Sequence, residues 1–228
     1  MTPEFAELYG VVMGDGNVWT NGGTYEIAVA GDLNEKEYFY YLSELMEKTL
    51  GKQPRVFYRQ GALRLVLRSR KAFEKLVFAG MLVGKNKSTK GLPEEIVCDE
   101  ELFFAAVRGL FDTDGTIFYS AKPGILSYPS IEITNCNEKL VKQVCDGLAK
   151  RGFRPTLRHR LENRETYKIG LYGKKQLALW QEKIGASNPK KRKKLFLTSA
   201  PIWRNAILPG DNESQKRVRK RVLETRSD

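Results

Sequence analysis

The chain has 228 residues, 41% of them hydrophobic, with 39 Lys+Arg against 27 Asp+Glu for a formal net charge of +12. That length and apolar content can bury a real core, which excludes a disordered tail, and no apolar run approaches the ~20 residues a membrane span needs. A field of this sign selects polyanions, of which nucleic acid is the commonest large one. The 3 cysteines, Cys98, Cys136 and Cys145, are odd in number and lack metal-ligand spacing. They suit a reducing interior and are expected as packing residues. The opening residues resemble neither a signal nor a transit peptide, so the expected location is a prokaryotic cytoplasm or an organelle, without secretion.

In chain order, the first element is a small-residue helix ending at Asp15-Gly16, followed by a hairpin of 17–20 with 24–31. A second helix is expected from Asn34, a good N-cap, to Gly51, a good C-cap residue. Strands 55–59 and 62–68 form a second hairpin, and a third helix covers about 71–78. A segment with Gly84, Gly91 and Pro93 then links to a second helix-to-Asp-Gly passage, "AAVRGLFDTDGTIF" (105–118). The pattern repeats: hairpin 116–120 with 129–135, helix from Asn137 to Gly152, hairpin 154–161 with 166–172, helix 174–183. A basic stretch, "NPKKRKKLFL", and an amphipathic helix near 214–225 close the chain.

The repetition is a duplication. Asp15-Gly16 and Asp114-Gly115 stand 99 residues apart, "NEK" recurs at an offset of 103, and Gly51/Gly152, Pro54/Pro155, Arg59/Arg160 and Gly84/Gly185 at 101. Six coincidences in chain order define two αββαββα repeats of an α+β fold. The expected boundaries are 1–80 and 100–187, with a linker at 81–99 and a basic extension at 188–228. Strand parity sorts the side chains: Leu63, Leu65 and Leu67 point one way, while Arg64, Val66, Arg68 and Arg70 point the other. Arg158 and Arg160 share a face in the second half, joined by Lys168. Arg55 and Arg59 add to the basic set of the first. A solvated sheet face would be served equally by lysine and glutamate; an arginine-biased face in both halves favours phosphates and base edges.

Gly10 and Gly14 on the first helix, and Gly109 and Thr113 on the second, are each four apart and so share a helical face. Two such helices pack most simply against each other about a pseudo-two-fold axis, with Asp15 and Asp114 side by side. Adjacent carboxylates repel unless protonated or bridged by cations. A Mg²⁺ site of carboxylates, main-chain carbonyls, water and substrate phosphate resolves this at neutral pH, and two metals can serve an in-line displacement at phosphorus. A single Asp-Gly would read as an ordinary helix-ending turn; two at duplicated positions do not. Neither "MGDG" nor "DTDG" completes a phosphate loop.

"LYGVVMGDG" (8–16) and "VRGLFDTDG" (107–115) resemble the two motifs of a single-chain LAGLIDADG homing endonuclease. Leu8 and Val107 fill the first place, Gly10 and Gly109 the third, Asp15 and Asp114 the eighth, Gly16 and Gly115 the last. "GKNKSTKGLPEEI" (84–96) is similar to the family's segment after the first repeat. The resemblance implies a monomeric, pseudo-symmetric saddle whose antiparallel sheets lie along the DNA major groove, and divalent-metal cleavage of both strands at the centre of a long asymmetric site. It assigns metal binding to Asp15 and Asp114, with Mg²⁺ the expected ion and Mn²⁺ a substitute. Gly14 and Thr113, in the seventh place, would offer main-chain carbonyls, and Asp112, whose counterpart is Met13, no metal role. A basic residue near the acids is usual in the family; Lys87 and Lys190 are the candidates by position, although any residue of "KKRKK" (190–194) could serve. That run would otherwise contact phosphate or act as a nuclear address. His159, on the opposite strand face from Arg158 and Arg160, is expected to be structural. The absence of splicing features points to a free-standing, intron-encoded enzyme. An RNA-splicing maturase and a non-cleaving DNA-binding regulator are the alternatives on the same fold.

Overall fold

Thr2 opens helix α1 (Pro3–Gly14) by accepting from Phe5 N–H at 3.3 Å, with Pro3 in the first turn, where its missing N–H does no harm. Asp99 does the same for α5 (Glu100–Asp114), accepting from Leu102 N–H at 2.9 Å ahead of two glutamates suited to a helix N-terminus. Phe5 to Met13 are all buried, as befits a helix packed on every side. This computed structural model describes residues 1–59, 61–84, 90–123, 125–161 and 165–196, without the side chains of Arg59 and Leu126.

Each motif helix feeds a four-stranded antiparallel sheet. Strands β1 (Gly16–Asn21), β2 (Thr24–Asp32), β3 (Arg55–Arg59) and β4 (Ala62–Arg68) lie in the order β1-β2-β4-β3. Strands β5 (Gly115–Lys122), β6 (Ile125–Asn135), β7 (Thr156–Leu161) and β8 (Glu165–Tyr172) lie in the order β5-β6-β8-β7. The equal order bears out the duplication. Helices α2 (Lys36–Leu50), α3 (Arg70–Phe78), α6 (Glu138–Lys150) and α7 (Lys174–Lys183) cover the greasy faces, so Leu63, Leu65 and Leu67 are buried as parity requires. One continuous core runs through both halves, joined by α1 and α5.

Several details differ from expectation. Asn137 caps α6, but Asn34 caps nothing: Asp32 accepts from Asn34 N–H at 2.7 Å and opens a 3-10 turn (Leu33–Glu35) before α2. Gly51 does close α2, with φ 73°. The linker holds a short helix, α4 (Glu94–Cys98), and is clamped to α6, Gln143 bonding both N–H and C=O of Leu92 and Asn137 reaching Lys90 O. The basic run forms helix α8 (Pro189–Phe196), which buries Leu195 and takes a bond from Tyr119 to Lys194 O. The helix expected near 214–225 lies outside the described residues. Of the three free thiols, Cys145 is partly buried and packs against the core as expected, Cys136 is partly buried and Cys98 is exposed. His159 stacks on Tyr167 at 4.8 Å and bonds Glu165 at 2.9 Å, a surface structural role.

Candidate metal centre and nucleic-acid interface

The two motif helices meet backbone to backbone. A Cβ on Gly10 would collide with the Ala106 carbonyl oxygen, and a Cβ on Gly109 with the Glu7 carbonyl oxygen. Gly10 and Gly109 are 99 residues apart, as are Glu7 and Ala106, so the contact is reciprocal, which is what a two-fold axis between the helices produces. At their far ends a Cβ on Gly14 would collide with Thr113 Oγ1 and lie 3.2 Å from Asp114 Oδ2. The first helix therefore ends against the second helix's acid. Asp15 caps α1 through its N–H to Val11 O, and Asp114 is the last residue of α5. Both carboxylates stand at the negative ends of helix dipoles, where a cation is favoured.

Asn135, the last residue of β6, donates to Asp114 Oδ2 at 2.5 Å and fixes that carboxylate. Its counterpart by register is Gly31, since Val29 and Ile133 pair with Gly16 and Gly115. The duplication thus gave no hint of it. Among the described residues no cluster of three or more His, Cys, Asp or Glu forms. Two carboxylates with main-chain carbonyls, water and phosphate nevertheless match the way Mg²⁺ is usually held beside a phosphate substrate.

Among the described lysines of the basic run, Lys191 reaches the end of α5. Its Nζ donates to Phe111 O at 2.6 Å and Thr113 O at 3.2 Å, so the Thr113 carbonyl already carries one hydrogen bond. Burial pulls Lys191 below the ordinary lysine value, against the upward pull of Asp112, Glu35, Asp114 and Asp15. Lys190 is exposed, and its charge is felt by Asp32. Helix periodicity, not sequence order alone, decides which lysine of the run turns inward. Lys87 lies outside the described residues. Asp112 is buried and accepts from Ser187 N–H at 2.8 Å, anchoring the segment that carries Lys191; burial pushes its carboxyl up to about 7.

A second buried group ties the halves together. Glu7 Oε2 takes Arg108 Nε and Nη2 at 2.9 and 2.6 Å, and Oε1 takes the Tyr41 hydroxyl at 2.6 Å. Glu7 is buried, and removing one partner of a buried pair leaves an uncompensated charge. Arg108→Met should destabilise the protein by about 3–5 kcal/mol, read by denaturant unfolding; a variant as stable as the parent would refute the strut.

The outer faces of the sheets carry the basic set. Arg64 pairs opposite Ala30, and Phe57 and Arg55 stand beside it on β3. A concavity of about 220 Å³ opens there, floored by Phe57 and Val66 and rimmed by Lys52, Arg55 and Arg68. In the second half Arg158 stands opposite Lys168, and Arg160 opposite Thr166. Register makes Arg59 and Arg160 true counterparts, opposite Ala62 and Thr166; the Arg59 side chain is outside the described set. Arg70 is a correction. Ser69 caps α3 and ends the strand, so Arg70 leaves the sheet face, bonding Glu74 at 2.7 Å over the Tyr25 ring. Sequence parity also missed Glu26 and Glu132, two buried acids on the basic faces.

Residues 101–185 match the model of the LAGLIDADG-like domain. The fold is that of the LAGLIDADG homing endonucleases. Mesophilic variants of the homing endonuclease I-DmoI superpose with a TM-score of 0.62 at 15% identity, covering 81% of this chain and 92% of theirs. I-DmoI in complex with DNA and Mn gives 0.60 at 16%, over 80% and 96%. The I-LtrWI LAGLIDADG homing endonuclease bound to target DNA gives 0.54 at 13%, over 84% and 88%. No curated protein matches the sequence. No helix among the described residues is long and apolar enough to cross a membrane.

Proposed function

We propose that the chain is a monomeric, metal-dependent endonuclease that breaks both strands of a long asymmetric DNA site. The observation that carries this is the reciprocal glycine contact, which brings Asp15 and Asp114 to one end of the helix pair, between two basic sheets. Repeats 1–80 and 100–187 each take one half-site along the major groove, the linker 81–99 joins them, and the extension 188–228 adds phosphate contacts. Arg55, Arg59, Arg64, Arg68, Arg158, Arg160 and Lys168 face the groove, and Arg70 reaches phosphate at its edge.

Asp15 and Asp114 hold Mg²⁺, or Mn²⁺ in its place, with the Gly14 and Thr113 carbonyls beside them. When bound, the ion stabilises the attacking and leaving oxygens at phosphorus. Asn135 keeps the Asp114 carboxylate aimed at that position. Lys191 braces the end of α5 and adds a positive charge that feels both acids. The metal-bearing I-DmoI complex supports the same use of the fold, and the enzyme is free-standing and intron-encoded in this reading. A non-cleaving regulator needs neither acid, and both stand here.

The test is incubation with a randomised duplex library and Mg²⁺, followed by sequencing of cut ends. Double-strand breaks at one long non-palindromic site, abolished by EDTA, are expected. Breaks that persist without divalent metal, or no breaks at all, would sink the proposal; binding to structured RNA in place of duplex would favour the maturase.

A further inference from the structure

We propose that Glu26 and Glu132 are specificity-determining positioning residues, each holding in one geometry two side chains of the sheet face that reads DNA. The inference rests on the DNA-binding reading above. Both glutamates are about 8% exposed, on faces otherwise rich in arginine and lysine. Glu26 takes Arg64 Nη2 at 2.9 Å on one oxygen and Arg68 Nε at 3.0 Å on the other. Glu132 takes Lys168 Nζ at 2.7 Å and the Tyr172 hydroxyl at 3.0 Å.

Register makes the held positions equivalent. Arg64 and Lys168 pair with Ala30 and Thr134, Arg68 and Tyr172 with Glu26 and Ser130, so both couples are related by the same offset of 104. The acids are not equivalent, because Glu132 corresponds to Ala28, two residues along the strand from Glu26. Duplication alone would have placed them at one register. The same two β4 and β8 positions are clamped in each half from a different place, which points to the clamp as the shared feature.

What each clamp leaves outward differs. An arginine has five N–H donors. Arg68 gives Nε to Glu26, and its side chain is 68% exposed, which leaves the terminal fork for guanine O6 and N7. Arg64, 43% exposed, keeps donors on Nε and Nη1. In the second half Lys168 gives one of its three Nζ donors to Glu132 and keeps two for a base edge, while Tyr172 donates to Glu132 and meets the Thr156 side chain. Its ring lies across Gly170, where a Cβ would collide with the hydroxyl, and carries Arg158 at 5.8 Å. A side chain already held loses less freedom on meeting a base edge, and wrong edges find it unable to readjust.

The experiment selects a site from a randomised duplex library by binding to the wild-type chain in EDTA, then measures all single-base variants of that site. Glu26→Gln keeps the shape and removes the charge. It should flatten discrimination about tenfold at positions of the first half-site only, while raising the magnitude of the salt slope by roughly one unit as an arginine is released to phosphate. Glu132→Gln should do the same in the second half-site, and it carries the test alone if Glu26→Gln does not fold. An acid that served only to neutralise the surface would leave the base profile unmoved. Unchanged profiles in the folded variants, or preferences lost equally across both half-sites, overturn the proposal. A wild-type chain that enriches no duplex overturns the DNA reading itself.

Discussion

Asp15→Asn and Asp114→Asn should each lower double-strand cleavage by about 10²–10³-fold or more, with duplex binding retained. Asparagine preserves the side-chain volume at the end of each helix but removes the charge that holds a hard cation. The variants should therefore melt close to the parent. Binding should persist because the basic side chains belong to the sheet strands and not to the motif helices. Asp112→Asn separates the two roles of acid near this site: its carboxylate is turned to Ser187 N–H, and its effect on cleavage should be mild by comparison. The measurement is a single-turnover rate on the selected site, with binding read in parallel. Wild-type cleavage of both strands by either eighth-position variant would contradict the metal assignment.

Gly10→Ala and Gly109→Ala should be the most damaging single methyl additions. The obstructing atoms are carbonyl oxygens of the facing helix, Ala106 and Glu7, not the ends of flexible side chains. Either variant must push the helices apart, and overpacking of this kind costs about 3 kcal/mol. For a protein of this size that lowers Tm by roughly 6–12 °C. Cleavage should fall with it, since a shift of about 1 Å in a catalytic group can cost ~10²-fold. Alanine at Gly152, which has open space around its Cβ but a φ of 85°, tests backbone strain alone and should leave the cleavage geometry intact. Gly10 and Gly109 variants melting with the parent would refute the close helix pair.

Much of this is legible in the sequence itself. Glycines four apart announced a close helix face, and Asp-Gly at duplicated positions placed the acids. Alternation of Leu63, Leu65 and Leu67 with Arg64 and Arg68 set the sheet faces. What escaped has a common physical cause: it depends on contacts between elements. Asn135 has glycine as its counterpart, so no repeat pointed to it. Lys191 stands in a run of five basic residues, and only the docking of α8 through Leu195 decides which one turns toward the acids. Glu26 and Glu132 occupy non-equivalent register positions and surface only once the strands are paired. Arg70 went astray because strand parity was carried two residues past Arg68, across Ser69, which is a helix cap.

In the proposed reaction one chain cuts between its two half-sites, at the axis relating its repeats. Hydroxyl-radical footprinting of the complex, aligned with the cut positions on both strands, tests this most directly. One protein per duplex is expected, with two protected half-sites of unlike sequence and both breaks falling between them. Breaks at the edge of the footprint or outside it, or two chains on a palindrome, would contradict it.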